Sequence, residues 1–276
     1  GKTNILEAIY LCSCARSHRT SKDTELIHTD CDHYQVTLTY DDGNMEDEEI
    51  RLAYWLAEPG TPGRGQNQRL FWHNGVQEAR IAELYGRFNA VIFAPEDLML
   101  IKDGPQARRR FLDLLLSQIY PVYFANLQAF NHLLKQRNML LKQLRDYGWH
   151  LKPNPANHLA LTLNIWDEQY AEAASALIKV RFQIAGEINT FAAKYHLAIS
   201  DQMEQLKIRY KTMSGLDETM DPPGLCTKIM DRLAQQRVDD VFRGSTNLGP
   251  HRDDLIFTLN GEPLGTYGSQ GQQRTA

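Results

Sequence analysis

Cysteine is scarce in this sequence, and signals for secretion or membrane insertion are missing from it. Four cysteines in 276 residues are too few to form a disulfide framework. Cys12 and Cys14 lie two positions apart within a predicted helix, so they point in different directions and do not have metal-ligand spacing. No signal peptide, lipidation motif or transmembrane run is visible, which predicts a soluble, cytoplasmic protein without membrane association.

A strong charge of one sign is also lacking. The net charge of −4 gives no overall attraction to nucleic acid or to an anionic membrane. A hydrophobic content of 42% with 23% charged residues is ordinary for a globular protein and argues against disorder. The exception is local, because residues 102–152 contain nine Lys or Arg against three Asp or Glu. That excess predicts a surface able to neutralise phosphates.

The hydrophobic pattern changes period along the chain. Segments with strand-like alternation or short apolar runs occupy residues 34–40, 50–56, 70–72, 90–93, 206–210 and 255–259. Apolar residues at helical spacing begin at Thr3 and dominate residues 105–200. A shorter helix is expected at 225–236, after a polar loop at 214–224. We therefore predict an α/β protein with three parts, residues 1–104, 105–200 and 201–276.

The chain opens with Gly1-Lys2-Thr3, followed directly by the first helical pattern. In a phosphate-binding loop, G-x-x-x-x-G-K-[ST], backbone N–H groups wrap phosphate oxygens and the lysine reaches the β- and γ-phosphates. The hydroxyl of the last residue binds Mg²⁺, and the helix that follows favours an anion at its start. Three matching residues form a weak motif by themselves, since this tripeptide is common.

A second phosphate motif lies near the other end of the sequence. Ser269-Gln270-Gly271-Gln272-Gln273 resembles the Ser-Gly-Gly-Gln signature of ABC ATPases. In that family, a serine hydroxyl and a glycine N–H at a helix start bind the γ-phosphate of ATP held by a second subunit. The alternative is a polar turn before a helix. The two motifs occur in ABC order with a helical insert between them, so together they predict an ABC-type P-loop ATPase head carrying a helical arm.

Three further stretches make the resemblance specific. They are Ser17-His18-Arg19-Thr20; Phe93–Leu98 followed by Gly104-Pro105 and Arg108–Asp113; and Leu248-Gly249-Pro250-His251-Arg252-Asp253-Asp254-Leu255. Together with the stretch from Ser269 to Ala276, they resemble the RecF family of bacterial recombinational repair. The resemblance runs nearly from end to end, and four such stretches in the same order are hard to obtain by chance.

This resemblance implies an ABC-type head related to the structural-maintenance-of-chromosomes ATPases, with a short helical arm in place of a long coiled coil. RecF proteins bind ATP and Mg²⁺ and form an ATP-dependent homodimer. They associate with single-stranded DNA and with single-strand/duplex junctions, acting with RecO and RecR. This implies support for RecA loading, repair, replication and the SOS response, and a weak DNA-stimulated ATPase in the full-length protein.

Site residues follow from the resemblance by matching position. The implied ATP contacts are Gly1, Lys2, Thr3, Ser269, Gln270 and Gly271, with Thr3 also on the metal. The upstream P-loop glycine and the first strand would precede Gly1, and the Walker B carboxylates would follow Ala276. Both ends are therefore expected to be cut within a longer protein, and no catalytic residue for hydrolysis is assigned.

Arg108, Arg109 and Arg110 open the basic stretch and are the candidate DNA contacts. Aromatic residues in the same stretch are candidates to stack on unpaired bases, namely Tyr123, Phe124, Tyr147 and Trp149. The alternative is that the arginines form a first helical turn with salt bridges and that the aromatic rings lie in the core.

Two other charged stretches have competing interpretations. Residues 249–254 combine a turn with an imidazole, a guanidinium and two carboxylates. They are interpreted as a turn held by Asp–backbone hydrogen bonds, as an arginine contact to nucleotide or across a dimer, or as a metal site, for which the ligand set is poor. Residues 41–49 contain six acids and predict a solvated hairpin tip.

Two other functions compete with an ATP-gated DNA repair factor. One is a non-catalytic helical scaffold for repair proteins that retains vestigial nucleotide motifs. The other is a P-loop kinase, which needs neither the signature element nor a long helical insert and is therefore disfavoured.

Overall fold

The computed structural model describes residues 1–20, 22–41, 43, 47–58, 65–94 and 98–276. The chain divides into two compact units. The first contains Gly1–Glu96 with Leu114–Val122, and the second contains Asp97–Asp113 with Tyr123–Ala276. Within the described residues, no helix is both long enough and apolar enough to cross a membrane.

The first unit contains a helix and an antiparallel sheet. The elements are α1 (Lys2–Cys14), β1 (His33–Tyr40), β2 (Glu48–Trp55), β3 (Gln68–His73) and β4 (Val76–Glu78), and the strands lie in the order β1-β2-β3-β4. Asn74 and Gly75 both have positive φ, which closes the predicted β3–β4 hairpin. Cys12 of α1 packs with Leu52 and Phe71 of the sheet in a buried cluster. The predicted strands at 34–40, 50–56 and 70–72 are confirmed.

The strand predicted at residues 90–93 is wrong. These four residues belong to no strand, and the side chains of Val91 and Phe93 are 98% and 80% exposed. An apolar run forms a buried strand only where neighbouring strands bond to its backbone, and no described strand pairs with this one. Pro95, Glu96 and Asp97, which belong to the stretch that resembles RecF, lie outside the described residues.

Helices dominate the second unit. They are α2 (Met99–Lys102), α3 (Pro105–Ile119, which continues into the first unit), α4 (Pro121–Asp146), α5 (His158–Ile199) and α6 (Pro222–Arg243). The predicted helical period across residues 105–200 is therefore confirmed, while the three-part domain division stays a prediction. Helix α6 begins three residues earlier than predicted, because Asp221 accepts a hydrogen bond from the Gly224 N–H (2.9 Å) and prolines suit a first turn.

An ion-pair cluster with a buried centre joins α4, α5 and α6. Arg137 pairs with Asp167 (2.7 Å) and Asp240 (2.9 Å), and Arg237 also pairs with Asp167 (2.6 Å). Arg137 also donates to the Thr246 hydroxyl (2.6 Å). Arg137 and Asp240 are fully buried, so removing Arg137 would leave a buried charge uncompensated, at a cost of about 3–5 kcal/mol.

The second unit also contains a small antiparallel sheet and two short helices. The elements are β5 (Leu206–Lys211), β6 (Asp254–Leu259), β7 (Glu262–Pro263), α7 (Leu264–Tyr267) and α8 (Gln270–Thr275). The strands lie in the order β5-β6-β7, and Asn260 and Gly261, with φ of 51° and 90°, form the predicted turn. Burial alternates along β5, where Leu206, Ile208 and Tyr210 are buried and the residues between them are exposed. The predicted strands at 206–210 and 255–259 are confirmed.

Candidate functional site

Helix α1 begins at the predicted phosphate motif. Gly1 is the residue preceding the helix, and no described side chain accepts a hydrogen bond to cap it. The side chains of Lys2 and Thr3 are exposed. The first N–H groups of a helix lack partners within the helix, so this start presents backbone donors, an ammonium and a hydroxyl together. We name residues 1–3 the open start; its set of donors suits a phosphate group.

The turn after α1 is bonded back to the helix through a carboxylate that the sequence did not single out. Glu7 is buried and accepts hydrogen bonds from the Ser17 hydroxyl and from Arg19 Nη1 (3.4 Å). Ser17 Oγ in turn accepts the N–H groups of Arg19 (2.9 Å) and Thr20 (3.1 Å). The sequence feature that could have pointed to Glu7 was an acidic residue on an otherwise apolar helix, one turn after the phosphate motif. Glu7 therefore ties the Ser17–Thr20 stretch to α1.

The predicted signature lies at the start of α8, where the hydrogen bonds are reciprocal. Ser269 Oγ accepts the Gln272 N–H (3.2 Å), and Gln272 Oε1 accepts the Ser269 N–H (2.8 Å). This is a capping box, which fixes the first turn of a helix. Ser269, Gln270 and Gly271 are exposed. Because Ser269 Oγ acts as an acceptor in the box, its own proton remains to be donated to a ligand. We name residues 269–271 the capped start.

The predicted site residues are distributed over both compact units. The open start belongs to the first unit. The capped start and the Arg108–Arg110 triplet of α3 belong to the second. The two predicted halves of the ATP site are thus carried by different units of the chain.

Two of the three candidate DNA-binding arginines make contacts within the protein. Arg108 binds both carboxylate oxygens of Asp254 (2.6 and 3.0 Å), and Arg109 donates to the Asp253 carbonyl (2.7 Å). The side chain of Arg110 is exposed. The predicted alternative, a first helical turn with salt bridges, therefore describes Arg108. Contact of the triplet with DNA stays a prediction, and Arg110 is the member most accessible to a phosphate.

The predicted stacking of aromatic side chains on bases is wrong for three of the four. Tyr123, Phe124 and Trp149 are 3%, 9% and 7% exposed, so their rings lie in the core and cannot stack on a base. Tyr123 also donates its hydroxyl proton to Asp113 (2.7 Å). Tyr147 is 74% exposed and remains accessible. Periodicity alone could not separate these cases, because aromatic residues serve both cores and base stacking.

Sequence reasoning missed a set of exposed cations on β5. Lys207, Arg209 and Lys211 alternate with the buried residues of this strand, so their side chains share one face at intervals of about 7 Å. None of the three forms an ion pair with any residue that the structure describes. We name these three residues the cationic row. The strict alternation of cations with apolar residues was the available signal.

A cavity of about 330 Å³ lies beside the cationic row. Arg209 and Lys211 contribute to its lining together with Phe182 and Ile256. Two cations therefore border a partly apolar surface, which suits a ligand that combines a phosphate with a planar ring.

Residues 249–254 form a turn with a defined internal structure. Gly249 has φ of +120°, and a Cβ at this position would overlap the hydroxyl of Tyr170. That hydroxyl donates to the Leu248 carbonyl (2.7 Å), and His251 Nε2 bonds to the Thr246 carbonyl (3.0 Å). Burial lowers the pKa of His251 to about 4, so the ring is neutral near pH 7 and Nε2 is the donor.

The acidic end of this turn is also bonded internally. Asp253 is buried and accepts a hydrogen bond from the Tyr210 hydroxyl, and burial raises the pKa of its carboxyl to about 6. Asp254 accepts the Leu255 N–H (2.8 Å) in addition to Arg108. The Asp254 contact matches the predicted Asp–backbone hydrogen bonds, whereas the side chains of Tyr170, His251 and Tyr210 make the other bonds of the turn. Across the described ranges, no group of three or more His, Cys, Asp or Glu is arranged to hold a metal ion.

The known proteins reported below as similar to this chain all carry the name RecF. No family model matches the chain. The DNA replication and repair protein RecF of Ruminiclostridium cellulolyticum is 39% identical over 280 residues, a match that covers 100% of this chain and 69% of that protein.

Two solved structures also match almost the whole chain. One is described as the recombination mediator protein RecF with ATP in the RecFOR pathway (33% identity, TM-score 0.87, 100% of this chain and 68% of that chain). The other is RecF with ATPrS in the same pathway (32% identity, TM-score 0.86, 99% of this chain and 68% of that chain).

Proposed function

The chain belongs to the RecF family of DNA replication and repair proteins, and we propose that it acts as an ATP-gated DNA repair factor. The fold prediction, an ABC-type ATPase head with a helical arm, is confirmed by the match to RecF structures. The observation that carries the proposal is this match, which extends over the whole chain to a relative solved with ATP.

The open start is the proposed phosphate site for ATP. Lys2 would contact the β- and γ-phosphates, Gly1 would close the loop, and backbone N–H groups of α1 would complete the donor set. The Thr3 hydroxyl would supply one oxygen ligand to Mg²⁺, an ion that usually takes few protein ligands and keeps phosphate and water oxygens. Support comes from the position of Gly1, Lys2 and Thr3 at the start and in the first turn of α1.

The capped start is the proposed contact with ATP held by a second copy of the chain. The Ser269 hydroxyl and the N–H groups at Gln270 and Gly271 would meet the γ-phosphate of the partner's nucleotide. Each composite site then needs Lys2 from one chain and Ser269 from another. Nucleotide binding would therefore stabilise a homodimer, and hydrolysis would release it.

Single-stranded DNA and single-strand/duplex junctions are the proposed substrates, and RecO and RecR are the proposed partners in promoting RecA loading. Arg110 and the cationic row are the exposed cations proposed to face phosphates. The cavity beside Arg209 and Lys211 would accept an unpaired base against Phe182.

Sedimentation velocity of the full-length protein with and without ATP tests the proposed ATP-dependent homodimer. We expect a shift from monomer to dimer with ATP in the wild type and no shift in Lys2→Ala. ATP-dependent DNA binding should be lost in the same variant. A helical scaffold with vestigial nucleotide motifs predicts instead that Lys2→Ala leaves oligomeric state and DNA binding unchanged.

Salt dependence of DNA binding tests the cationic row. Replacing Lys207, Arg209 and Lys211 by glutamine should reduce the slope of log affinity against log salt by about 2 for a single-stranded oligonucleotide, at about 0.7 per phosphate contact. The matched control replaces three exposed lysines elsewhere, Lys22, Lys194 and Lys228, and should leave the slope unchanged. Equal slopes in the two triple variants would assign DNA binding to another surface.

A further inference from the structure

The capped start depends on the orientation of one amide side chain. In the capping box, Gln272 presents its Oε1 to the Ser269 N–H (2.8 Å). A glutamine amide can rotate so that its oxygen and nitrogen exchange places, and only one of the two orientations accepts this bond. A neighbouring group that only accepts hydrogen bonds would hold the amide nitrogen and so help to select that orientation.

Glu204 is the group that makes the selection. Gln272 Nε2 donates to Glu204 Oε1 (2.8 Å). An ionised carboxylate only accepts hydrogen bonds, so it holds the amide nitrogen and leaves the amide oxygen for Ser269. The hydrogen bond from Gln272 is the main cause that lowers the pKa of Glu204, and the bond from His196 acts in the same direction. Glu204 is thus ionised at neutral pH.

The carboxylate of Glu204 is itself anchored to the last turn of α5. Its second oxygen, Oε2, lies 3.0 Å from Nε2 of His196, whose ring is 2% exposed. The Glu204 N–H also donates to the Ser200 hydroxyl (3.3 Å). A continuous path of hydrogen bonds thus runs from His196 through Glu204 and Gln272 to Ser269. All four residues belong to the second compact unit.

We propose that Glu204 is a positioning residue that fixes the Ser269 hydroxyl and connects it to the end of helix α5. Helix α5 has 42 residues, so the path joins the longest helix of the arm to the serine that would meet the partner's nucleotide. This inference rests on the proposed function of Ser269. A displacement of the α5 end would reach Ser269 through three hydrogen bonds, because Glu204 and Gln272 bridge the two elements.

Amide hydrogen exchange in the full-length protein tests the positioning role without reference to nucleotide. In Glu204→Ala, the Ser269 and Gln272 amides should exchange about fivefold faster, as expected for a weakened helix cap, while buried amides of α4 and α6 keep their rates. The matched control is Glu187→Ala, which removes an exposed carboxylate that also accepts from a glutamine amide (Gln183, 3.0 Å) on α5. Unchanged exchange at Ser269 in Glu204→Ala would overturn the proposal.

A second measurement tests the connection to function. In Glu204→Ala, ATP-dependent dimerisation should weaken about tenfold while the affinity of the monomer for ATP is unchanged, because the variant leaves Lys2 intact. The dimer affinity of Glu204→Gln should fall between those of the wild type and Glu204→Ala. Its amide can accept from or donate to Gln272, so it does not select one orientation of the Gln272 amide. Faster exchange at Ser269 with wild-type dimerisation would overturn the functional connection. A wild type that does not dimerise with ATP would instead refute the proposed function, and the exchange result would still stand.

Discussion

The two helix starts proposed to contact nucleotide are built in opposite ways. The open start belongs to a helix of thirteen residues and has, within the described part of the chain, no side-chain cap. The capped start precedes a helix of only six residues, which is too short to be stable alone. Its geometry depends on side chains, including the buried Gln273, whose amide donates to the carbonyls of Leu264 (3.2 Å) and Gly268 (3.1 Å).

This difference separates two ways of preparing a phosphate contact. The open start keeps its donors available and relies on the length of α1 for its shape. The capped start fixes a hydroxyl before any ligand arrives, which reduces the ordering required on binding. Changes at the open start should therefore alter nucleotide affinity without altering local structure. Changes at the capped start should alter local structure and dimerisation without altering the affinity of a monomer for ATP.

The largest effect is expected from removing the ammonium of the open start. Lys2→Ala should weaken ATP binding by about 10- to 100-fold, since a hydrogen bond to a charged group contributes about 1.5–3 kcal/mol. Isothermal titration calorimetry on the full-length protein measures this, with Lys22→Ala, an exposed lysine paired with Glu25, as the control. Equal affinities for the two variants would mean that the open start is not the nucleotide site.

A smaller effect is expected from removing the hydroxyl of the capped start. Ser269→Ala should weaken ATP-dependent dimerisation about tenfold, the loss of roughly one hydrogen bond to a charged group, and leave monomer affinity for ATP unchanged. Sedimentation equilibrium gives the dimer dissociation constant. Thr275→Ala removes a hydroxyl that donates to the Gly271 carbonyl within α8 (2.9 Å) and should behave as the wild type. A loss of monomer affinity in Ser269→Ala would contradict the division of roles.

The comparison can also be sharpened by giving the open start a cap. A Cβ at Gly1 meets no atom of the described residues within 4 Å, so these residues leave room for Gly1→Ser. Serine caps helices better than glycine, so the free energy of unfolding should rise by a few tenths of a kcal/mol. ATP affinity should fall, because the new hydroxyl occupies N–H groups that the phosphate needs. Higher stability together with unchanged or higher ATP affinity would show that these N–H groups do not bind phosphate.

The smallest effect is expected at the capped start when the pH is lowered. The pKa of Glu204 lies below its ordinary value of 4.5 because the folded protein stabilises the ionised form. The stabilisation of the capped start by the ionised Glu204 carboxylate is therefore fully present above pH 4.5. It is lost as the pH falls through the lower pKa of the folded protein. NMR of the Ser269 amide should show a titration in that range that is absent from Glu204→Gln and absent from the first residues of α1. His196 is the titratable neighbour to monitor in parallel.

Local features of the fold could be predicted from the sequence because their causes are local. The β3–β4 hairpin follows from Asn74-Gly75, whose residues tolerate positive φ, and the long helices follow from apolar spacing. The run at 90–93 could not be judged in this way, because its burial depends on strands far away in the sequence. Composition does not reveal whether such strands pair with it.

The site was less predictable because its contacts span long sequence separations. Arg108 pairs with Asp254, 146 residues further along the chain, so its ion pair could not be separated from a DNA contact by inspection. Glu204 contacts Gln272 across 68 residues, and nothing in the signature motif points to it. The motifs indicated which groups are proposed to meet phosphate, whereas the groups that position them were visible only in the structure.

Mixing two variants that each dimerise poorly tests the composite site most directly. In full-length protein, Lys2→Ala retains Ser269 and Ser269→Ala retains Lys2, so a heterodimer of the two contains one intact composite site. With ATP, sedimentation velocity should show dimers in the mixture and far fewer in either variant alone. If the mixture dimerises no better than the separate variants, the two helix starts do not act across a pair of chains.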